Sequence, residues 1–247
     1  MRLSEFMKPS LYKPLLIGIM VMVFQQFCGI NAVLGYCEDI FRFANVKNSS
    51  LVSIVTSVTL IVFTMVSCLV VDKCGRRLLL VLGGFFMFIV MFVLGLYFDI
   101  TVFESPLPGQ IDIFNHRTVP VNQISWLAVM CILIFMVMFS LSWGPISWIL
   151  MTELFPPKAY GMAGAACNVT SWLGGFIVMK FFPVMKSSLR AQGTFWFYAG
   201  FSCLSFLFAY FFIPETKGKS LEEIEKYFKS ENKNKNSSFP LQEKLKS

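Results

Sequence analysis

The chain has 247 residues, 56% of them hydrophobic and only 14% charged, and its mean hydropathy is +0.67. That composition excludes an ordinary water-soluble domain and makes lipid the natural solvent. The formal net charge of +7 does not argue for nucleic acid, because the basic residues collect in short loops and the tail and form no basic amphipathic face.

A bilayer core takes about 20 apolar residues per helix. Six such runs occur, near 15–38, 51–71, 78–98, 124–151, 161–184 and 194–213, so both ends are predicted on one side. The amino end, the turn after Val71, the turn after Thr152 and the tail hold 15 of the 21 Lys and Arg. By the positive-inside rule both termini are predicted to be cytoplasmic. The seven cysteines lie in or beside the spans without paired spacing. They read as small buried hydrophobes, with no disulfide framework and no zinc site.

Residues 1–14 form a basic lead-in, and the six-helix unit is predicted over 15–213. The apolar run that follows the lead-in continues to Val33, beyond the core of a signal peptide. It contains Gln25, Gln26 and Asn31 around Gly29. On a regular helix, Gln26 and Asn31 would stand about 140° apart, so one ligand can be addressed by both only if the helix bends between them, and Gly29 sits there. A span broken at glycine, with hydrogen-bonding side chains on both sides, is the sequence form of a midplane site in a secondary transporter. Amides suit such a site, because each offers donors and acceptors to a neutral polyol without adding charge to the membrane interior.

The loop after the first span holds the sequon Asn48-Ser49-Ser50. The second span ends in Asp72-Lys73-Cys74-Gly75-Arg76-Arg77, which reads as a positive-inside anchor or as ion-pair partners for neighbouring helix ends. A long outer loop is predicted over 99–123, and it contains His116, read as a solvated residue. In the fourth span Pro145 removes a backbone donor and crowds the Leu141 carbonyl, so a second break is predicted near Gly144-Pro145. Spans one and four are the corresponding first members of two three-helix sets, and paired interruptions there point to an inverted-repeat transporter. Trp148 offers an aromatic face and an N–H to a sugar ring, or else serves as a belt tryptophan. A second charged turn carries Glu153, and Gly161-Met162-Ala163-Gly164 reads as a close-packing stripe. A tail over 214–247, which includes Glu215, is predicted, with a short helix at about 220–229 opened by the capping box of Ser220 and Glu223.

Taken together, these stretches resemble the sugar-porter family of the major facilitator superfamily, the facilitative glucose transporters. Gln25 to Asn31 is similar to that family's seventh-helix signature, and Asp72 to Arg77 to its inner turn between helices eight and nine. Gly144-Pro145 with Trp148 is similar to its tenth helix, and Pro214 to Gly218 to its terminal motif. Tyr12-Lys13-Pro14 and Trp143 look most similar to the type 8 and type 6 branch. The resemblance implies an all-α membrane protein of six transmembrane helices, the carboxyl-terminal half of a major facilitator fold made of two inverted three-helix repeats.

It also implies hexose as substrate, carried by alternating access without a cofactor or metal. Gln25, Gln26 and Asn31 would bond sugar hydroxyls and Trp148 would pack near the ring. Gly29, Gly144 and Pro145 would mark the bends, and Tyr36 would help close the outer side. Asp72, Arg76, Arg77, Glu153 and Glu215 would latch the inner side. Leu60 and Ser171 stand where many members carry amides, and Tyr160 where a basic residue is usual. Met1 falls where the family's cytoplasmic linker would be ending, so the implied partners are the bilayer and an amino-terminal six-helix half. The membrane is the plasma membrane or that of an endosome or lysosome. An alternative is a non-transporting half-porter that binds sugar or regulates another transporter.

Overall fold

A computed structural model describes residues 9–101, 121–155, 157–219 and 222–224. Most of the lead-in, the loop with His116, and the tail beyond 219 apart from helical 222–224 lie outside the described residues. The described residues form helices and connections with no strand.

Six helical stretches are long and apolar enough to cross a membrane: Tyr12–Gly35, Ser49–Cys74, Arg76–Thr101, Ser125–Leu154, Ala159–Ser188 and Arg190–Phe212. Two of the six are interrupted. The first consists of α1 (Pro9–Phe27) and α2 (Ile30–Gly35), with α3 (Cys37–Phe43) continuing beyond it. α4 (Ser49–Cys74) and α5 (Arg76–Thr101) are unbroken. The fourth stretch consists of α6 (Val121–Leu141) and α7 (Trp143–Leu154), and α8 (Pro157–Ser188) and α9 (Arg190–Phe212) complete the bundle.

α4 is rich in Ser and Thr, which would be costly in lipid if their hydroxyls were unpaired. They bond back along the helix instead: Thr56 to the Val52 carbonyl at 2.8 Å, Thr59 to Val55 at 2.8 Å and Thr64 to Leu60 at 2.7 Å. The helix therefore tolerates an apolar surround despite its composition.

Packing centres on α5 against α9, with α1 set among α7, α8 and α9. Gly84 makes the α5–α9 contact close, since a Cβ there would lie 3.0 Å from the Phe206 backbone. Phe98 of α5 stacks on Phe195 of α9 at 5.2 Å, with the planes 10° apart. α4 is the least covered helix. Met65 and Leu69 are 70% and 71% exposed, and on α8 Trp172 reaches 76%, so both helices keep apolar faces that the described chain does not cover.

Candidate functional site

The interruption between α1 and α2 is a single left-handed residue. Gly29 has φ 93° and ψ 12°, a conformation that costs other residues a Cβ clash. Space imposes the same choice, because a Cβ on Gly29 would lie 2.7 Å from the Tyr198 ring. The turn gathers the polar side chains that a regular helix would hold apart. Asn31 Nδ2 donates to Gln26 Oε1, and Gln26 Nε2 donates to Ser171 Oγ of α8 at 2.8 Å. Two glycines of α8 make the room: a Cβ on Gly175 would lie 2.7 Å from Asn31 Nδ2, and one on Gly174 3.1 Å from Gln26 Cβ. The result is a half-buried relay from Asn31 through Gln26 to Ser171.

Gln25 turns the other way. It is 3% exposed, and its Nε2 donates to the carbonyls of Trp143 at 3.1 Å and Gly144 at 3.0 Å. Its Oε1 is buried without a hydrogen-bond partner.

The second interruption falls at Ser142, whose φ −127° and ψ −91° are neither helical nor extended. Pro145 is then the third residue of α7, where a backbone N–H has no partner within the helix and its loss costs little. Ser142 Oγ donates back to Met138 O at 2.5 Å and Ser147 Oγ to Trp143 O at 2.6 Å. The fully buried Trp143 donates its indole N–H to Leu80 O of α5 at 3.0 Å. Trp148, one turn further on, is 36% exposed. Among the described residues no hydrogen bond or ring contact joins it to the amide relay.

Tyr36 stands at the joint between α2 and α3, its ring stacked on Phe182 of α8 at 4.7 Å and its hydroxyl 3.5 Å from Met179 O. Beside it, Glu38 accepts from Ser50 Oγ at 2.8 Å and Arg42 Nη2 at 2.9 Å. The Ser50 hydroxyl, and after it Arg42, hold the Glu38 carboxyl below its ordinary value. A cavity of about 420 Å³ opens at this end, between Tyr36, Phe98, Phe182, Lys186 and Phe195. It is mostly apolar and is not lined by the residues of the amide relay.

At the opposite end the predicted charges meet. Arg76, its side chain 13% exposed, sits between Asp72 Oδ1 at 3.1 Å and Glu153 Oε1 at 3.0 Å. The other Glu153 oxygen accepts from Thr216 Oγ1 at 2.5 Å. Glu215 accepts from the backbone N–H groups of Arg76 at 3.1 Å and Arg77 at 3.2 Å, where the α5 dipole favours an anion. A Cβ on Gly75 would lie 2.8 Å from Glu215 Oε2. Among the described residues the Arg77 guanidinium pairs with no carboxylate; its Nη2 donates to Tyr210 O at 2.6 Å. All five predicted charges are thus near one another, in two clusters centred on Glu153 and Glu215. Thr216 is a member that the sequence did not single out, since a lone hydroxyl carries no signal until its partner is known; Ser171, noted in the sequence as a departure from the pattern of the resembling family, finds its partner in Gln26. Among the described residues no group of three or more His, Cys, Asp or Glu could hold a metal.

The sequence pattern of the family described as Sugar (and other) transporter matches residues 2–228. The mouse protein named Solute carrier family 2, facilitated glucose transporter member 8 is 40% identical over 230 residues, 92% of this chain and 48% of its own length. The facilitated trehalose transporter Tret1 of Drosophila pseudoobscura pseudoobscura is 34% identical over 226 residues, 91% of this chain and 24% of its own. Among solved structures, the MFS (major facilitator superfamily) proton:xylose symporter XylE bound to 6-bromo-6-deoxy-D-glucose superposes with a TM-score of 0.70 at 32% identity, covering 87% of this chain and 42% of that one. The chain therefore spans half or less of the length of these relatives. Its six apolar helices and these matches make it a multi-pass membrane protein of the major facilitator fold, in a family of transporters rather than enzymes. The chain belongs to the sugar (and other) transporter family.

Proposed function

We propose that this chain forms the sugar-contacting half of a facilitative hexose transporter working by alternating access. The observation that carries the reading is the relay at Gly29: Asn31, Gln26 and Ser171 converge where the helix breaks. Each amide of the relay is paired with a neighbour, which limits the cost of keeping these polar groups inside the bundle. A sugar hydroxyl, at once donor and acceptor, inserts between Asn31 and Gln26 by exchanging bonds instead of demanding new ones. Trp148 supplies an aromatic face to the ring, and Gln25 belongs to the same wall.

Gly29, Gly144 and Pro145 supply the bends, with Tyr36 on Phe182 closing the outer side. The clusters of Asp72, Arg76 and Glu153, and of Arg77 and Glu215, hold the inner helix ends together in one state and part in the other. The uncovered faces of α4 and α8 take an amino-terminal six-helix half. Both termini then face the cytoplasm, in the plasma membrane or in that of an endosome or lysosome.

The test is uptake of radiolabelled D-glucose by yeast lacking hexose carriers, with this chain co-expressed with the amino-terminal six-helix half of the mouse relative. Saturable uptake is expected, and Gln26→Ala is expected to reduce it at least 100-fold at equal membrane abundance, because the relay loses its central donor and acceptor together. Unchanged uptake in that variant overturns the site. Uptake of trehalose but not glucose overturns the hexose assignment and leaves the transporter reading standing.

A further inference from the structure

The cavity at the Tyr36 end of the bundle, about 420 Å³, is large enough for one small ligand, and it stands apart from the amide relay. Four helices build it: Ile40 comes from α3, Phe98 from α5, Phe182 from α8, and Ala191 and Phe195 from α9. All five are buried. Phe98 and Phe195 stack at 5.2 Å and make a flat aromatic wall. Two hydroxyls share the lining, and each has a partner: Thr194 donates to the Arg190 carbonyl of its own helix at 2.8 Å, and the Tyr36 hydroxyl lies 3.5 Å from Met179 O. A sugar placed here would leave most of its hydroxyls unmatched, a desolvation cost that an alkyl chain does not incur. The interior suits a hydrocarbon.

The mouth is charged. Of the two cations in the lining, Arg42 is matched by Glu38 at 2.9 Å and reaches Asp39, which shares the rim, at 3.9 Å. Lys186 has no carboxylate partner among the described residues. It is half-buried, its Nζ held 4.2 Å from the centroid of the Phe43 ring, and Phe43 packs in turn on Phe98 at 5.6 Å. A ring face positions an ammonium without neutralising it, so the cation is fixed at the rim with N–H donors available to an anion.

A hydrocarbon interior below a fixed, unmatched ammonium specifies a ligand with an apolar body and an anionic head. We propose that the cavity binds a long-chain carboxylate, its chain between Phe98, Phe182 and Phe195 and its head on Lys186. The space takes one chain, so the second chain of a diacyl lipid has no counterpart in the lining. Asp39 on the same rim disfavours a head with more than one negative charge. The inference does not rest on the sugar site proposed above.

Photolabelling of the full chain in phosphatidylcholine nanodiscs tests it, with a diazirine-bearing palmitate as the probe. Label is expected on peptides carrying Phe98, Phe182 or Phe195. Excess oleate should displace it, whereas oleyl alcohol, equal in chain but uncharged, should not. Lys186→Gln is expected to cut this labelling about ten-fold through the loss of one charge-assisted contact, and Lys186→Arg, which keeps the charge, to hold it within about three-fold. Ala191→Leu, which fills the cavity from α9 and leaves the charge in place, should abolish it.

Displacement by oleyl alcohol as effective as by oleate, or labelling that Lys186→Gln leaves unchanged, removes the anionic head and overturns the proposal. Label spread evenly over the exposed faces of α4 and α8 means ordinary lipid contact and overturns it as well. Displacement by phosphatidylglycerol at lower concentration than oleate gives the cavity to a phospholipid, and label that enters only after residues 102–120 are replaced by a Gly-Ser linker gives it to that segment; each overturns the single-chain carboxylate. Should Ala191→Leu fail to fold, the two Lys186 variants decide, since they alter an accessible side chain.

Discussion

The two helix interruptions look alike in sequence, each a small residue inside an apolar span, but they are built on opposite principles. At Gly29 the backbone itself is the device: φ 93° turns the chain in one residue, and side chains cross the gap afterwards. At Ser142 the chain is interrupted before Pro145, and the ends are held by other parts of the molecule: hydroxyls bonding back by a turn, an indole to α5 and an amide from α1. One break is made by what its own residue can adopt. The other is kept by its partners. A hinge of the first kind depends on what its own backbone adopts, whereas the second follows whatever grips it.

Substituting the break glycines gives the largest expected contrast. Gly29→Ala must place a Cβ in the left-handed region, at about 1–2 kcal/mol, and 2.7 Å from the Tyr198 ring, adding about 1–3 kcal/mol for overpacking. Thermal unfolding in detergent should register a loss of about 2–5 kcal/mol. At Gly144 the new Cβ meets the Phe139 ring and carbonyl at 3.1 Å, crowding that the alanine preference of a helix, about 0.5–1 kcal/mol, largely offsets. Gly144→Ala should stay within about 1 kcal/mol of the wild type. Equal losses at the two sites would erase the distinction.

Trp143→Phe tests the outside grip. The indole hydrogen bond to Leu80 O is lost at about 0.5–1.5 kcal/mol, and the smaller ring leaves a void in a residue with 0% exposure, so about 1–3 kcal/mol in total is expected. The diagnostic is where the loss appears. Exchange should rise first over residues 143–147 and not over 26–35; a uniform rise would mean that Trp143 is ordinary core and no anchor of the break.

The spans were legible because twenty-residue apolar runs have few alternatives, and Gly29 was legible because only a bend could unite Gln26 with Asn31. Asp72, Arg76, Arg77, Glu153 and Glu215 were legible as a set. Their pairing was not: the Arg77 guanidinium ends on a backbone carbonyl, and Glu215 on three backbone N–H groups, partners that carry no mark in a sequence. The directions of Gln25 and Gln26 were hidden for a related reason. Neighbours on a helix point about 100° apart, so one faced α8 and the other α7, but which helix lay on which side is a property of the packed bundle. Pro145 pointed to the correct turn while the interruption settled at Ser142, because proline is comfortable inside the first turn of a helix and forces the discontinuity upstream of itself.

The smallest expected effect is the most discriminating. Ser147 Oγ and Gln25 Nε2 both donate to the Trp143 carbonyl, at 2.6 and 3.1 Å. Ser147→Ala alone removes a local bond and leaves that carbonyl its bond from Gln25, so a change within about 0.5 kcal/mol is expected. In a Gln25→Met background the same substitution removes the remaining side-chain donor, and its cost should rise by about 0.5–1 kcal/mol, a non-additivity read directly from the four melting curves of a double-mutant cycle. Additive losses would mean that the two donors do not share the work of holding α7, and that the second break, like the first, stands on its own backbone.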